Sequence, residues 1–310
     1  MSEKTNVRWL PQYIALGITW GCSFIFIKLG LEFLSPVGVA FGGVALGALT
    51  LVTFARIRNI ALPRELKTWA HLTFPAMTLN VIPGYLFPVA EQSVTSVLAG
   101  IINAMTPLMT LIAIMLVFRS EKVTRAQVIG LFLGFVGVLT VLGAWQGLGE
   151  NPLSAVLALL LSVACYGVSF PYSRKFILPL GLRPEAAAAT QLVIATAILL
   201  PFYLIDGGVT GDVSLVPMLA MVGLGMFGRG FAYIWNFQIM AAAGSAIASS
   251  VTYVTPVVAV IVGVIFLGEG VTWYEPVGGA IVLLGAAIAQ GRIRIRIKTK
   301  GDQENGNYAK

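Results

Sequence analysis

The chain has 310 residues, of which 57% are hydrophobic and 11% charged, and its mean hydropathy is +0.88; a soluble domain carries roughly 25% charged residues. Too few polar side chains remain to cover a wet surface, which excludes a soluble globule and makes a bilayer the expected solvent. The net charge of +7 does not point to nucleic acid, because the basic residues fall between long apolar runs, as they do where membrane proteins retain cytoplasmic charge.

A membrane helix needs about 20 mostly apolar residues to cross the hydrocarbon core with every backbone amide satisfied internally. After a polar tail over residues 1–9, ten segments meet that need: 10–29, 36–55, 68–90, 93–118, 126–144, 152–172, 185–205, 213–238, 244–267 and 273–291, followed by a basic tail over 292–310. The runs lack the strict alternation of a membrane barrel and are about twice the length of a tilted β-span. The expected class is therefore an all-α integral membrane protein with ten transmembrane helices. Cys22 and Cys165 both lie in apolar runs and His71 is the single histidine, so no disulfide framework, metal site or cofactor is expected.

With the N-terminus in the cytoplasm, every basic residue except Lys28 and Arg229 falls on the cytoplasmic side, while Glu32, Glu91, Glu150, Asp206, Asp212, Glu269 and Glu275 lie in the outer connections. This asymmetry predicts a multi-pass protein with both termini cytoplasmic. The basic tail reads as an anchor at the lipid surface.

An offset of about 148 residues brings the two halves into register. Thr106-Pro107 meets Thr255-Pro256, Glu121 meets Glu269, Tyr85 meets Tyr233, and Leu34-Ser35-Pro36 meets Leu182-Arg183-Pro184; a slightly smaller offset pairs Trp20 with Tyr166 and Lys28 with Arg174. The predicted organisation is two five-helix repeats, 10–149 and 150–291, with the junction at Glu150 to Pro152. Five is odd, so the halves insert in opposite directions (5+5). Inverted repeats are the architecture of secondary transporters, whose site lies at the repeat interface near mid-depth.

In these features the chain resembles the drug/metabolite transporter superfamily, and within it the ten-helix transporters built from two EamA-type repeats. The most specific parts are a small-residue helix with Thr-Pro, then Phe118-Arg119-Ser120-Glu121 or Leu267-Gly268-Glu269, then a glycine-rich helix with Gly130, Gly134 and Gly137 or Gly278, Gly279 and Gly285. By overall similarity it looks like the YddG-like branch of aromatic amino acid exporters of the bacterial inner membrane. That resemblance implies export of aromatic and other neutral amino acids, with helices one, three, four, six, eight and nine lining a central cavity. The implied partners are the small-molecule substrate and the lipid bilayer.

Span four carries Ser96, Gly100, Asn103 and Pro107, and span nine carries Ser245, Ser249, Thr252 and Pro256; each set shares one helix face. Small and hydroxylated residues let membrane helices approach closely, so Gly100 and Ser249 suit packing as well as a lining role. Asn103 and Thr252 are the better binding candidates, because they sit near mid-depth, where a polar group facing lipid is costly. Pro107 and Pro256 each deprive a carbonyl of its amide partner, which sets helix shape or a gate. Arg229 lies halfway along span eight between Gly228 and Gly230, where insertion of a guanidinium costs at least about 3 kcal/mol. Two readings stand for it: attraction of a substrate carboxylate, or a structural arginine held by helix carbonyls or tyrosines.

Trp20, Phe24, Tyr85, Tyr166, Tyr233 and Tyr253 mark the facing helices. Membrane aromatics commonly serve packing, but the repeat-matched pairs Trp20/Tyr166 and Tyr85/Tyr233 suit stacking against a flat amphipathic substrate. Glu121 and Glu269 end spans four and nine and either cap the next helix or gate the halves. No carboxylate or histidine is expected at mid-depth, which favours facilitated export or exchange over tight proton coupling. No Gly-x-x-x-x-Gly-Lys or Gly-x-Ser-x-Gly is present, so neither ATP nor serine hydrolase chemistry is expected. The repeat argues against a channel, another metabolite such as a nucleoside or a drug-like cation stays open as substrate, and a monomer is compatible with this reading.

Overall fold

The computed structural model describes residues 9–118, 125–141, 145, 151–289 and 293. Among them, eight helices are long and apolar enough to cross a membrane: α1 (Leu10–Gly30), α2 (Pro36–Ile57), α3 (Leu66–Glu91), α4 (Ser96–Phe118), α6 (Leu153–Leu180), α7 (Pro184–Asp206), α8 (Leu215–Ala243) and α9 (Ile247–Leu267). Two shorter helices, α5 (Arg125–Val141) and α10 (Tyr274–Ala289), complete the described elements. No sheet forms among the described residues; a single bridge joins Leu34 and Val209. Glu121, Glu150 and the basic tail over 292–310, apart from Ile293, lie outside the described residues.

Local chemistry sets the helix ends. Pro36 and Pro184 each occupy a first helical turn, where the missing amide costs nothing. The Ser35 hydroxyl accepts from Gly38 N at 3.0 Å and the Thr95 hydroxyl from Leu98 N at 3.1 Å, capping α2 and α4. The Ser35 hydroxyl also donates to the Asp206 carboxylate, tying the start of α2 to the end of α7. α9 stops at Gly268, whose φ of 63° is left-handed and suits glycine.

Two helices extend further than the sequence suggests. α6 runs on through a π-helical stretch, Ser173–Ile177, so that Arg174 and Lys175 belong to the helix rather than to a connection. Lys175 lies 5.4 Å from the centre of the Phe176 ring, a contact that helps a charged side chain continue the helix. α8 likewise continues to Ala243.

The outward face is apolar. Phe132, Phe202, Leu204, Ile205 and Phe266 are all exposed, an expanse that only lipid covers without penalty. Inside, one buried cluster joins α1, the end of α3, α4 and α6, and another joins α2, the start of α3, α7 and α8. Tyr166 packs against both. α5 and α10 pack chiefly on each other, and α2 packs on α7. Exchanging each helix of α1–α5 with the one five places later leaves the main packing partners unchanged: α1 with α9 corresponds to α6 with α4, and α3 with α6 to α8 with α1.

Irregular backbone recurs at matched positions. α3 contains the π-helical stretch Ala76–Val81 and α8 contains Leu224–Phe231. α4 breaks at Ala104 and Met105, and α9 tightens to a 3₁₀ turn over Ser250–Tyr253. Each break precedes its Thr-Pro, and in each the threonine hydroxyl donates back at 2.8 Å, Thr106 to Asn103 O and Thr255 to Thr252 O. Such irregularity at membrane depth is tolerated where protein or a cavity surrounds it.

Candidate functional site

Between the two clusters lies a cavity with about 60 Å³ of free space, enough for a few water molecules at roughly 10–15 Å³ each. α1 contributes Trp20, Ser23, Phe24 and Ile27, α3 Leu79 and Phe87, and α4 Asn103. α6 supplies Tyr166 and Phe170, α8 Gly228, Arg229 and Tyr233, and α9 Thr252. The contributing helices are α1, α3, α4, α6, α8 and α9.

The walls are held by hydrogen bonds to irregular backbone. Pro83 has no amide to give to the Leu79 carbonyl four residues back, and the Tyr233 hydroxyl donates to that carbonyl at 2.9 Å. The Trp20 indole donates to Gly228 O, in the π-helical stretch of α8, at 3.2 Å. The Trp20 and Tyr233 rings meet edge to face at 6.2 Å. Opposite them, Phe24 meets Phe87 edge to face at 5.6 Å, and Phe87 stacks on Tyr166 at 5.9 Å. Asn103 Nδ2 donates to the Thr255 hydroxyl at 3.3 Å, across the two helix breaks.

Arg229 is 7% exposed. Its stem passes α2 at Gly47 and Gly43, and its guanidinium lies over Gly84, where an added Cβ would stand 3.5 Å from Nη2. The guanidinium sits against the Tyr233 hydroxyl and within electrostatic reach of Tyr166. Among the described residues the only ion pair within 4.0 Å is Arg183 with Glu185, so no carboxylate neutralises Arg229. The cavity therefore combines aromatic faces, an amide, hydroxyls and one unneutralised cation, a set suited to a flat apolar body with a carboxylate.

The structure brings together Trp20, Phe24, Asn103, Tyr166, Arg229, Tyr233 and Thr252. It does not bring Tyr85, which is 41% exposed, and Tyr253 is not among the lining residues. The repeat match of Tyr85 with Tyr233 does not carry over to the cavity, where α3 presents Phe87, two residues further on. Gly100 and Ser249 are buried in helix contacts; a Cβ on Gly100 would lie 2.6 Å from Ala259 Cβ on α9. Pro107 and Pro256 open the segments that follow the breaks, and the carbonyls four residues before them, Asn103 O and Thr252 O, accept from the Thr106 and Thr255 hydroxyls. Phe87, Leu79 and Ile27 line the cavity without having carried a polar or symmetric signal; only their spacing from Gly84, Pro83 and Phe24 could have marked them.

Glu269 does not cap the helix that follows it. Its carboxylate accepts from Ser96 N at 2.9 Å, the Ser96 hydroxyl at 2.8 Å and Val97 N at 3.1 Å, closing the N-terminus of α4 from the other half. Among the described residues, no group of three or more His, Cys, Asp and Glu side chains gathers that could hold a metal ion.

The sequence profile of the EamA-like transporter family matches this chain twice, over residues 8–143 and 153–290. The chain belongs to the EamA-like transporter family. Among relatives, the uncharacterized inner membrane transporter YedA of Escherichia coli K12 is 28% identical over 281 residues, spanning 90% of this chain and 89% of its own. An uncharacterized transporter of Archaeoglobus fulgidus is 26% identical over 288 residues, spanning 90% and 98%. A crystal structure covering 91% of this chain and 96% of its own superposes with a TM-score of 0.65 at 18% identity, a likeness of fold. As an EamA-like protein the chain is a membrane transporter with an all-helical body.

Proposed function

We propose that this EamA-like protein is a secondary carrier of the bacterial inner membrane that exports aromatic and other neutral amino acids by alternating access. The observation that carries the reading is Arg229, buried in an aromatic cavity and unneutralised by any described carboxylate. A substrate carboxylate would pair with the guanidinium. The aromatic side chain would lie against Trp20, Phe24, Tyr166 and Tyr233, and the ammonium would meet ring faces and the polar groups of Asn103 and Thr252. A lipophilic cation is disfavoured by the charge of Arg229.

The carrier cycle rests on two inverted repeats, 10–149 and 150–291, with ten membrane helices and both termini in the cytoplasm. The exchangeable packing partners and the matched helix breaks support that symmetry. The name of YedA supports the inner membrane. The test is counterflow into proteoliposomes with labelled tryptophan, phenylalanine, tyrosine, a nucleoside and a sugar. Saturable, countertransport-stimulated uptake of the aromatic amino acids, lost in Arg229→Gln, is the expected result; uptake of only the nucleoside or sugar, or flux without saturation, overturns it.

A further inference from the structure

The far end of the bundle, where α1 finishes, holds charged groups that the cavity does not use. Lys28 at the end of α1 gives its ammonium to backbone carbonyls at the end of α3, Glu91 O at 2.6 Å and Val94 O at 3.1 Å. Glu269, after α9, is committed to the N-terminus of α4, and Gly263 leaves it room: a Cβ there would stand 2.7 Å from Glu269 Oε2. Lys28 thus ties α1 to α3 and Glu269 ties α9 to α4 at this end of the bundle. Enclosed beside them is the Glu91 side chain, 0% exposed, with neither carboxylate oxygen partnered. Among the described residues, Lys28 and Glu269 are the charged groups that act on it, and α2, α4 and α6 bring no charged side chain to it.

We propose that Glu91 is a proton-binding site whose occupation lets the far end close. An ionised carboxylate sealed away from water without a hydrogen bond is costly, and the nearby ammonium is engaged elsewhere while a second carboxylate opposes it. A protonated carboxyl enters the same place at far lower cost. On closing, a proton from the far-side solvent forms an O–H bond at a Glu91 carboxylate oxygen; on reopening, water reaches the group and the proton returns to the same side. No proton crosses the membrane, so the device regulates the carrier without coupling its flux to a gradient. This inference goes beyond the proposed substrate and does not depend on it.

The test uses the full chain in cells and inside-out vesicles, with Cys22 and Cys165 replaced by serine and Ser23→Cys as a reporter inside the cavity. A membrane-impermeant thiol reagent modifies that cysteine only through an open end. Far-side labelling rates are taken between pH 8 and pH 5 and divided by those of the same protein carrying Glu91→Gln, which cancels the pH dependence of the thiol itself. The expected ratio is several-fold at pH 8 and falls toward one at pH 5, because glutamine imitates the protonated side chain. A ratio that stays constant overturns the proposal. Should Glu91→Gln not fold, the ratio of far-side to near-side labelling in the parent gives the same readout, and its constancy with pH overturns the proposal equally. Glu269→Gln is expected to raise far-side labelling while keeping the pH dependence; loss of the dependence would assign the proton to Glu269 and overturn the role of Glu91.

Discussion

The Asn103 side-chain amide donates to the Thr255 hydroxyl at 3.3 Å, joining the break in α4 to the break in α9. Both groups are buried; removing the Thr255 hydroxyl strands the Asn103 amide, at a cost of about 1–3 kcal/mol, whereas without Asn103 the Thr255 hydroxyl keeps its bond to Thr252 O. Asn103→Leu and Thr255→Val should each lower thermal stability in detergent, and a double-mutant cycle should return a coupling of about 0.5–1.5 kcal/mol. Additive effects would mean that the contact is not formed. Asn103→Leu should also cut transport about tenfold or more, because Asn103 lines the cavity.

Arg229→Gln should leave the protein folded, as judged by its elution and melting profile, while lowering uptake by at least about tenfold, the loss expected of one charge-assisted contact worth ~1.5–3 kcal/mol. Arg229→Lys keeps the charge without the planar fork and should recover only part of the rate, mainly through a raised KM. Unchanged KM and rate in both variants would assign Arg229 to structure alone.

Gly84 sets the space available to the guanidinium. A Cβ 3.5 Å from Nη2 is ordinary contact, so Gly84→Ala should transport nearly normally. Gly84→Leu should displace the guanidinium and weaken binding, read as a raised KM with the protein still folded. Equal behaviour of the two variants would show that the guanidinium does not rest there.

The Tyr233 hydroxyl serves a carbonyl that Pro83 leaves without its regular partner. Tyr233→Phe should therefore destabilise by ~0.5–1.5 kcal/mol. In a Pro83→Ala background, where residue 83 regains an amide for the helix, the same change should cost less. A denaturation series on the four proteins measures the difference; an equal cost in both backgrounds refutes the link.

Much of this arrangement was legible in the residues. Arg229 stood out because a guanidinium at mid-depth has few places to go, and Trp20, Tyr166, Asn103 and Thr252 were marked by depth and by the internal repeat. The irregular turns defeated the rest. A π-helical stretch turns less per residue than the α-helix that periodicity assumes, and beyond the one in α3 Tyr85 is exposed while Phe87 lines the cavity. Hydropathy puts Glu91 at a helix end, where solvent is expected; in the fold its side chain is fully buried, within electrostatic reach of Lys28 and Glu269 from distant parts of the chain. For Glu269 the sequence offers a cap on the next helix or a gate between the halves; its carboxylate meets the N-terminus of α4, in the other half.

A chamber with room for only a few waters between Trp20, Phe87, Tyr166 and Arg229 has a consequence for measured affinities. Any solute larger than that must prise the aromatic walls apart, so its dissociation constant contains the work of deforming the bundle as well as the strength of the contacts. Ligands of different girth will thus report different affinities even when they offer the arginine the same carboxylate.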